Sequence, residues 1–342
     1  SVVNLKSHPV GVPKESDYQV VTEPLGELAD GHVRVRTVLV SVDPYLRGMM
    51  SGVRNAYFIP FELDGPVVSF TVGKVTESKN EKFAVGDRVL GNLPWASVND
   101  VDPENPSNNF SKVADYVTNE SALSTVGLTG LTAWVGLIIV GKLDSLKPGS
   151  TVFVSGAAGA TGNVVGQIAK IKGFRVVGSA GGDDKVAWLK DELKFDEVVN
   201  YRAVPDLKEA LKAACPTGID LYFDNVGGET LDIALTLMNN RGVIVNCGAI
   251  SNYNAVNPPQ GPRVEWHMIV KSLRMEGFIV YHYADQFGAA AKELSGWLKD
   301  GKLIEKINPI DSTDDVSGIP TAFISMLAGT NIGKTIVRLS SD

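Results

Sequence analysis

A glycine-rich turn supplies the clearest chemical signal in the sequence. Residues 155–162, which read SGAAGATG, follow a β-branched run and precede apolar residues that recur at helical spacing. The glycines lie three residues apart, which departs from the strict dinucleotide fingerprint but still allows a sharp turn and close approach to a pyrophosphate. The amides and positive dipole end of the next helix would face the phosphates. We predict a dinucleotide-binding turn, with a purely structural tight turn as the alternative.

The end of the next predicted strand bears on which dinucleotide is bound. An NAD binder usually carries Asp or Glu there, where it binds the ribose diol. This chain has Gly181 and Gly182, followed by Asp183, Asp184 and Lys185. Because the glycines leave room and Lys185 can reach a 2′-phosphate, NADPH is favoured. Asp183 weakens this inference, and we expect Asp183 or Asp184 to cap the following helix instead.

Composition and charge exclude several classes of protein. Two cysteines, Cys215 and Cys247, and four histidines without ligand spacing predict no metal site and a reducing compartment. The net charge is −7 and no basic run offers a surface for nucleic acid. The longest strongly apolar stretch, residues 134–140, is shorter than the roughly 20 residues that span a bilayer, and no signal-peptide pattern is present. We expect a cytoplasmic protein that binds neither nucleic acid nor membrane.

Two kinds of secondary structure are expected to position these residues. The first third contains short alternating runs typical of a barrel-like β domain. These runs are residues 18–22, 32–40, 67–76, 87–91 and 113–118. From about residue 125, strands and helices alternate, which predicts a doubly wound parallel sheet. We predict an α/β protein with an inserted Rossmann domain at 125–291, a barrel-like domain at 1–124 and 292–342, and a final strand at 333–339 that pairs with the first domain.

Five segments in this order carry a resemblance to a known family. They are residues 42–50 (VDPYLRGMM), 157–173 (ending GQIAKIKG), 222–229 (YFDNVGGE), 247–254 (CGAISNYN) and 331–334 (NIGK). Together they resemble the zinc-independent medium-chain dehydrogenases/reductases, specifically the group of prostaglandin, alkenal double-bond and curcumin reductases. The resemblance implies a barrel-like (GroES-like) catalytic domain, an inserted Rossmann domain, NADPH as cofactor and a homodimer.

The resemblance also implies a set of site residues. Lys185 and Tyr201 match positions that hold the 2′-phosphate, and Tyr253 matches a tyrosine near the substrate carbonyl. Tyr45 and Arg47 match a substrate-binding motif on the opposite wall. The residues implied to bind the cofactor are Ala158, Gly159, Ala160, Thr161, Gly162, Gly181, Lys185, Tyr201, Asn225, Cys247, Tyr253, Phe278, Ile279, Val280, Asn331 and Gly333.

Chemistry without a metal requires another donor for the charge that develops on a substrate oxygen. If hydride adds to the β carbon of an enone or enal, that charge lies on an enolate oxygen, which a tyrosine hydroxyl can stabilise. We assign this role to Tyr253, and Tyr45 is a second candidate that core packing explains equally well. Tyr57 and Trp95, in first-domain loops, are candidate substrate contacts.

The sequence therefore predicts an NADPH-dependent enone/enal reductase that acts on a small-molecule substrate. A quinone or carbonyl reductase of the same superfamily would share the nucleotide motifs. A non-catalytic NADPH-binding protein is the alternative from another class. A hydrolase is disfavoured because Ser155 lacks the nucleophile-elbow pattern.

Overall fold

The computed structural model describes residues 1–56 and 59–340, which divide into two compact units. Unit 1 contains residues 1–124 and the segment from residue 307 onward, and unit 2 contains Thr125–Lys306. The second boundary therefore follows residue 306, not residue 291 as predicted. The reason is that residue 291 lies inside a helix whose Glu293 accepts a hydrogen bond from Trp134, while the main chain of Ile304 pairs with Gln167.

The strands of the described residues are β1 (Val2–Leu5), β2 (Tyr18–Val21), β3 (Val33–Ser41), β4 (Val68–Ser78), β5 (Arg88–Pro94), β6 (Val98–Val101), β7 (Ser111–Lys112), β8 (Thr151–Val154), β9 (Arg175–Ala180), β10 (Glu197–Asn200), β11 (Ile219–Asp224), β12 (Met238–Asn246), β13 (Arg274–Gly277), β14 (Ile307–Asp311) and β15 (Lys334–Arg338). The α-helices are α1 (Leu46–Met49), α2 (Asn119–Leu123), α3 (Leu128–Trp134), α4 (Ala160–Ile171), α5 (Asp183–Ala187), α6 (Leu207–Ala214), α7 (Gly228–Leu237), α8 (Glu265–Val270), α9 (Phe287–Lys299) and α10 (Gly318–Leu327).

Unit 2 contains a six-stranded sheet in the order β10-β9-β8-β11-β12-β13, with every neighbouring pair parallel. This confirms the predicted doubly wound parallel sheet. The direction of strand succession reverses between β8 and β11, and in such sheets ligands bind beyond the carboxyl ends of the strands at this point. Residues 155 and 225 follow those two ends.

Unit 1 contains a seven-stranded mixed sheet and the separate β1-β2 pair. One edge of β3 pairs with β4, and the other pairs with β6 through Val33–Arg36 and with β15 through Leu39–Ser41. The predicted return of the C-terminal strand to the first domain is thus confirmed. Register shifts between β3 and β4 bend this sheet. The predicted strand at 113–118 is wrong, because Val117 closes a turn onto the carbonyl of Ala114.

One helical stretch of unit 2 is unusually long and apolar. Within the described residues, α3 continues through a π-helical segment, Val135–Val140, to form an 18-residue stretch, Leu128–Ser145, that is long and apolar enough to cross a membrane by length and composition. Half of it is buried inside the protein, and core helices of soluble proteins pass the same test. Residues 134–140 therefore belong to a longer apolar helix than the sequence indicated.

Candidate cofactor and active site

The glycine-rich turn leaves β8 and enters α4 with little room for side chains. Gly156 has a φ of +58°, which favours glycine, and its carbonyl accepts a hydrogen bond from the Gly159 amide at 3.0 Å. A Cβ atom on Gly162 would lie 2.4 Å from that same carbonyl oxygen. The first amides of α4 have no intrahelical acceptor. The turn therefore fits a pyrophosphate, and its glycines are needed for this shape.

A second group of residues surrounds Gly181, just beyond β9. A Cβ atom at Gly181 would lie 2.6 Å from the Tyr201 hydroxyl and 3.0 Å from Arg202 Nε. The Arg202 guanidinium carbon is 5.7 Å from the centre of the Tyr201 ring. Burial lowers the pKa of Lys185; Asp184 opposes this shift and the charge of Arg202 adds to it. Lys185, Tyr201 and Arg202 thus bring two cations and a hydroxyl together, a donor set suited to a phosphate.

Arg202 was not among the predicted site residues. Its only sequence signal was its position next to Tyr201. The expected capping role of the neighbouring aspartates is also wrong: Gly182 is the N-cap of α5, and Asp183 and Asp184 lie in its first turn. Asp183 instead accepts a hydrogen bond from the Asn200 side chain at 2.6 Å. This contact joins the end of β10 to the start of α5.

Asn225, Cys247 and Tyr253 come together beyond β8, β11 and β12. The Asn225 side-chain amide donates to the Ser155 carbonyl at 2.8 Å, and the Cys247 amide donates to the Asp224 carbonyl at 2.8 Å. Burial, together with the charge of Asp224, raises the pKa of the Cys247 thiol to about 12. The Cys247 thiol therefore stays protonated at neutral pH.

The Tyr253 hydroxyl accepts a hydrogen bond from the Ala249 amide at 3.2 Å. Burial raises the pKa of Tyr253, although the Ala249 amide opposes the shift. Within residues 1–56 and 59–340, this hydroxyl has no acceptor for its own proton. Tyr253 is therefore a protonated donor at neutral pH whose orientation is fixed by a main-chain contact.

Phe278 follows β13 and its ring packs against the π-helical segment. A Cβ atom on Gly136 would lie 2.6 Å from Phe278 Cζ and 2.7 Å from Phe223 Cε2, so this close approach depends on glycine. Ile279 is partly exposed and Val280 is buried. The two other predicted cofactor residues belong to unit 1, where the Asn331 side chain donates to the Gly333 carbonyl at 2.8 Å.

The predicted substrate residues of unit 1 differ in their exposure. Tyr45, just before α1, is partly exposed and packs on the unit 1 core. Arg47 is buried, and its guanidinium donates to the carbonyls of Pro9 at 3.0 Å and Gly11 at 2.9 Å. Trp95 is 0% exposed, packs against Tyr18 and Phe323, and donates to Ser69 Oγ at 2.7 Å. The expected substrate contact of Trp95 is therefore wrong, and Tyr57 lies outside the described residues.

Two family models match the chain. The model described as the N-terminal domain of oxidoreductase matches residues 2–108, and the model described as zinc-binding dehydrogenase matches residues 160–296. In the part of the chain that the structure describes, no three His, Cys, Asp or Glu side chains are grouped so as to hold a metal ion.

Individual relatives match over almost the whole chain. Prostaglandin reductase 1 of Bos taurus is 41% identical over 336 residues, covering 98% of this chain and 97% of its own. The NADP(+)-dependent 2-alkenal reductase of Nicotiana tabacum is 37% identical over 345 residues, covering 99% and 97%. The crystal structure of CurA in complex with NADPH from Vibrio vulnificus has a TM-score of 0.92 and 34% identity, covering 100% and 99%.

The mixed-sheet unit, the inserted parallel sheet with its glycine-rich turn, and these relatives define an NADP-dependent oxidoreductase. With these matches over 98% or more of its length, the chain belongs to the medium-chain dehydrogenase/reductase family.

Proposed function

We propose that the protein reduces the carbon–carbon double bond of α,β-unsaturated ketones and aldehydes by hydride transfer to the β carbon. The observation that carries the proposal is the Tyr253 hydroxyl, which accepts the Ala249 amide hydrogen bond and keeps its own proton to donate. Such a donor stabilises the enolate oxygen on which charge develops in conjugate reduction. The similarity to a prostaglandin reductase and a 2-alkenal reductase supports the same chemistry.

The cofactor is NADPH, which supplies the hydride when bound. We assign its pyrophosphate to residues 158–162 and its 2′-phosphate to Gly181, Lys185, Tyr201 and Arg202. The residues that we assign to the ribose and nicotinamide are Asn225, Cys247, Tyr253, Phe278, Ile279, Val280, Asn331 and Gly333. The open helix start of α4 and the two cations beside Gly181 support the two phosphate assignments.

The remaining roles in substrate binding belong to unit 1. We assign the Tyr45 hydroxyl to the substrate as a second hydrogen-bond donor. The α carbon of the substrate is protonated by water or by a tyrosine. The Arg47 guanidinium donates hydrogen bonds to the carbonyls of Pro9 and Gly11. We therefore assign Arg47 to the wall of the substrate site, where it anchors the loop that contains these two residues. We propose that the reaction needs no zinc and that the protein works in the cytoplasm, away from membranes and nucleic acid.

We infer a homodimer from an edge of the unit 2 sheet that pairs with no other strand within residues 1–56 and 59–340. β13 is the terminal strand of the parallel sheet, and an uncovered edge strand can pair with another chain. Just before it, α8 exposes Trp266 (71%) and Ile269 (69%), which lie three residues apart on one helix face. A second copy of the chain would cover both features. Light scattering of the wild type and of a Trp266→Asp variant tests this assembly: the wild type should have twice the chain mass and the variant a lower mass.

The function is tested by NADPH and NADH consumption with a matched enone, saturated ketone and quinone, followed by identification of the product. We expect the saturated ketone from the enone, with NADPH preferred. An alcohol product would favour a carbonyl reductase, and faster turnover of the quinone would favour a quinone reductase. NADPH binding without reduction of any acceptor would favour a non-catalytic binding protein.

A further inference from the structure

Asp224, at the carboxyl end of β11, is a fully buried carboxylate surrounded by hydrogen-bond donors. It is 0% exposed, and four groups donate to its Oδ1 atom. These donors are the Tyr222 hydroxyl at 2.6 Å, the Val226 and Gly227 amides at 2.9 Å each, and the Ser155 hydroxyl at 3.0 Å. The Asn246 side-chain amide donates to Oδ2 at 3.4 Å.

The charge of this carboxylate is not compensated by a nearby cation. Among the residues that the structure describes, no Lys, Arg or His forms an ion pair with Asp224. Two of the partners are main-chain amides, which can only donate, so Oδ1 accepts hydrogen bonds from both, as an ionised carboxylate does. Burial of an unpaired charge is costly even with hydrogen bonds, so a carboxylate in this position calls for a functional reason.

Asp224 contacts two of the chain segments assigned to the nicotinamide end of the cofactor, those of Asn225 and Cys247. The Asp224 side chain accepts a hydrogen bond from the Ser155 hydroxyl, and the Ser155 carbonyl accepts one from the Asn225 side chain. The main-chain carbonyl of Asp224 accepts hydrogen bonds from the amides of Cys247 and Gly248 at 2.8 and 3.0 Å. The negative charge of Asp224 also acts on Cys247, where it helps to raise the pKa of the thiol. Charges interact more strongly in a low-dielectric interior than in water, and Cys247, which is assigned to the nicotinamide end, is in direct main-chain contact with Asp224.

We propose that the Asp224 charge makes the site prefer the oxidised cofactor over the reduced one and thereby makes bound NADPH a stronger hydride donor. The oxidised nicotinamide ring carries a positive charge that the reduced ring lacks, whereas the phosphates of the two forms are the same. A buried negative charge near the ring therefore stabilises NADP⁺ relative to NADPH. This inference rests on the cofactor assignment of the proposed function and not on the identity of the substrate.

The test compares the dissociation constants of NADP⁺ and NADPH, measured by protein fluorescence without any substrate. In Asp224→Asn, which keeps the shape and removes the charge, we expect the affinity for NADP⁺ to fall on the order of tenfold more than that for NADPH. Asn246→Lys, at a partly exposed position beside Oδ2, should shift the ratio in the same direction because it neutralises the charge. This second variant answers the question even if Asp224→Asn does not fold.

Tyr222→Phe is the matched control, since it removes one hydrogen bond to Oδ1 and leaves the charge in place. We expect its NADP⁺/NADPH ratio to stay within about twofold of the wild type. The proposal would be overturned if Asp224→Asn and Asn246→Lys weakened the binding of NADP⁺ and NADPH equally. It would also be overturned if Tyr222→Phe shifted the NADP⁺/NADPH ratio as much as these two variants do. In either case Asp224 would have a structural role only. Because no turnover is measured, failure of enone reduction would not affect this result.

Discussion

Lys334 and Asp43 form a buried ion pair between residues 291 positions apart in the chain. Lys334 Nζ lies 2.9 Å from Asp43 Oδ1 and also donates to the carbonyls of Val42 and Thr335 at 2.8 and 3.1 Å. The Ser41 hydroxyl donates to the other carboxylate oxygen. The pair joins β15, just after Asn331, to the turn that carries Tyr45. Two sequence motifs that lie far apart in the chain therefore share one contact.

Loss of one partner of this pair is expected to destabilise unit 1. In Lys334→Met the Asp43 carboxylate stays buried without its cation, which costs about 3–5 kcal/mol of unfolding free energy. Urea denaturation measures the loss. The double variant Lys334→Met/Asp43→Asn should recover part of it, and Lys82→Met, which breaks the exposed pair with Glu104, should leave stability almost unchanged. If Lys334→Met lost no more unfolding free energy than Lys82→Met, the pair of Lys334 and Asp43 would not contribute to stability.

Removal of the Tyr253 hydroxyl is expected to slow turnover more than it weakens cofactor binding. Tyr253→Phe loses the donor assigned to the enolate oxygen, so kcat should fall about 100-fold while the Kd for NADPH changes by less than about threefold. Steady-state kinetics and fluorescence titration measure the two quantities. Tyr116→Phe, at a tyrosine that is 78% exposed, is the control. Undiminished kcat in Tyr253→Phe would remove this assignment.

The pH dependence of the same variant gives a separate prediction. Burial raises the pKa of Tyr253 above its usual value of 10.0, so the hydroxyl keeps its proton as the pH rises through neutrality. The ratio of wild-type to Tyr253→Phe kcat should therefore be constant between pH 7 and about 9, and should fall only above pH 10. A ratio that declines near pH 8 would mean that the Tyr253 hydroxyl loses its proton well below pH 10, which would contradict the raised pKa.

More of the fold than of the site could be predicted from the sequence. Strand–helix alternation and the glycine turn are local patterns, and both lie where the sequence indicated. Trp95 was misplaced because its position in a polar segment says nothing about the distant residues Tyr18 and Phe323 that bury it. Arg202 and Asp224 were missed for the same reason: their roles depend on contacts with Gly181 and Ser155, which are remote in sequence.

Selectivity for NADPH is expected to depend on both cations beside Gly181. Arg202→Ala removes a guanidinium that the 2′-phosphate can bind, so the Kd for 2′,5′-ADP should rise about tenfold while NADH binding is unchanged. We expect the same rise in the Kd for 2′,5′-ADP, with unchanged NADH binding, in Lys185→Ala. Isothermal titration calorimetry measures both ligands. Lys190→Ala, whose ammonium instead pairs with Glu197 at 3.2 Å, should bind as the wild type does. Equal weakening of NADH and 2′,5′-ADP would point to a general structural defect instead.

Two glycine-to-alanine substitutions are expected to have opposite effects on stability. In Gly162→Ala the new Cβ atom would lie 2.4 Å from the Gly156 carbonyl, so the turn must distort, with a loss of about 1–3 kcal/mol and weaker NADPH binding. In Gly296→Ala, at an exposed position within α9, nothing lies within 4 Å of the added atom. Lower entropy of the unfolded chain should then increase stability by about 0.5–1 kcal/mol and leave NADPH binding unchanged. Urea denaturation and fluorescence titration of both variants check this contrast, and normal NADPH affinity in Gly162→Ala would contradict the pyrophosphate assignment.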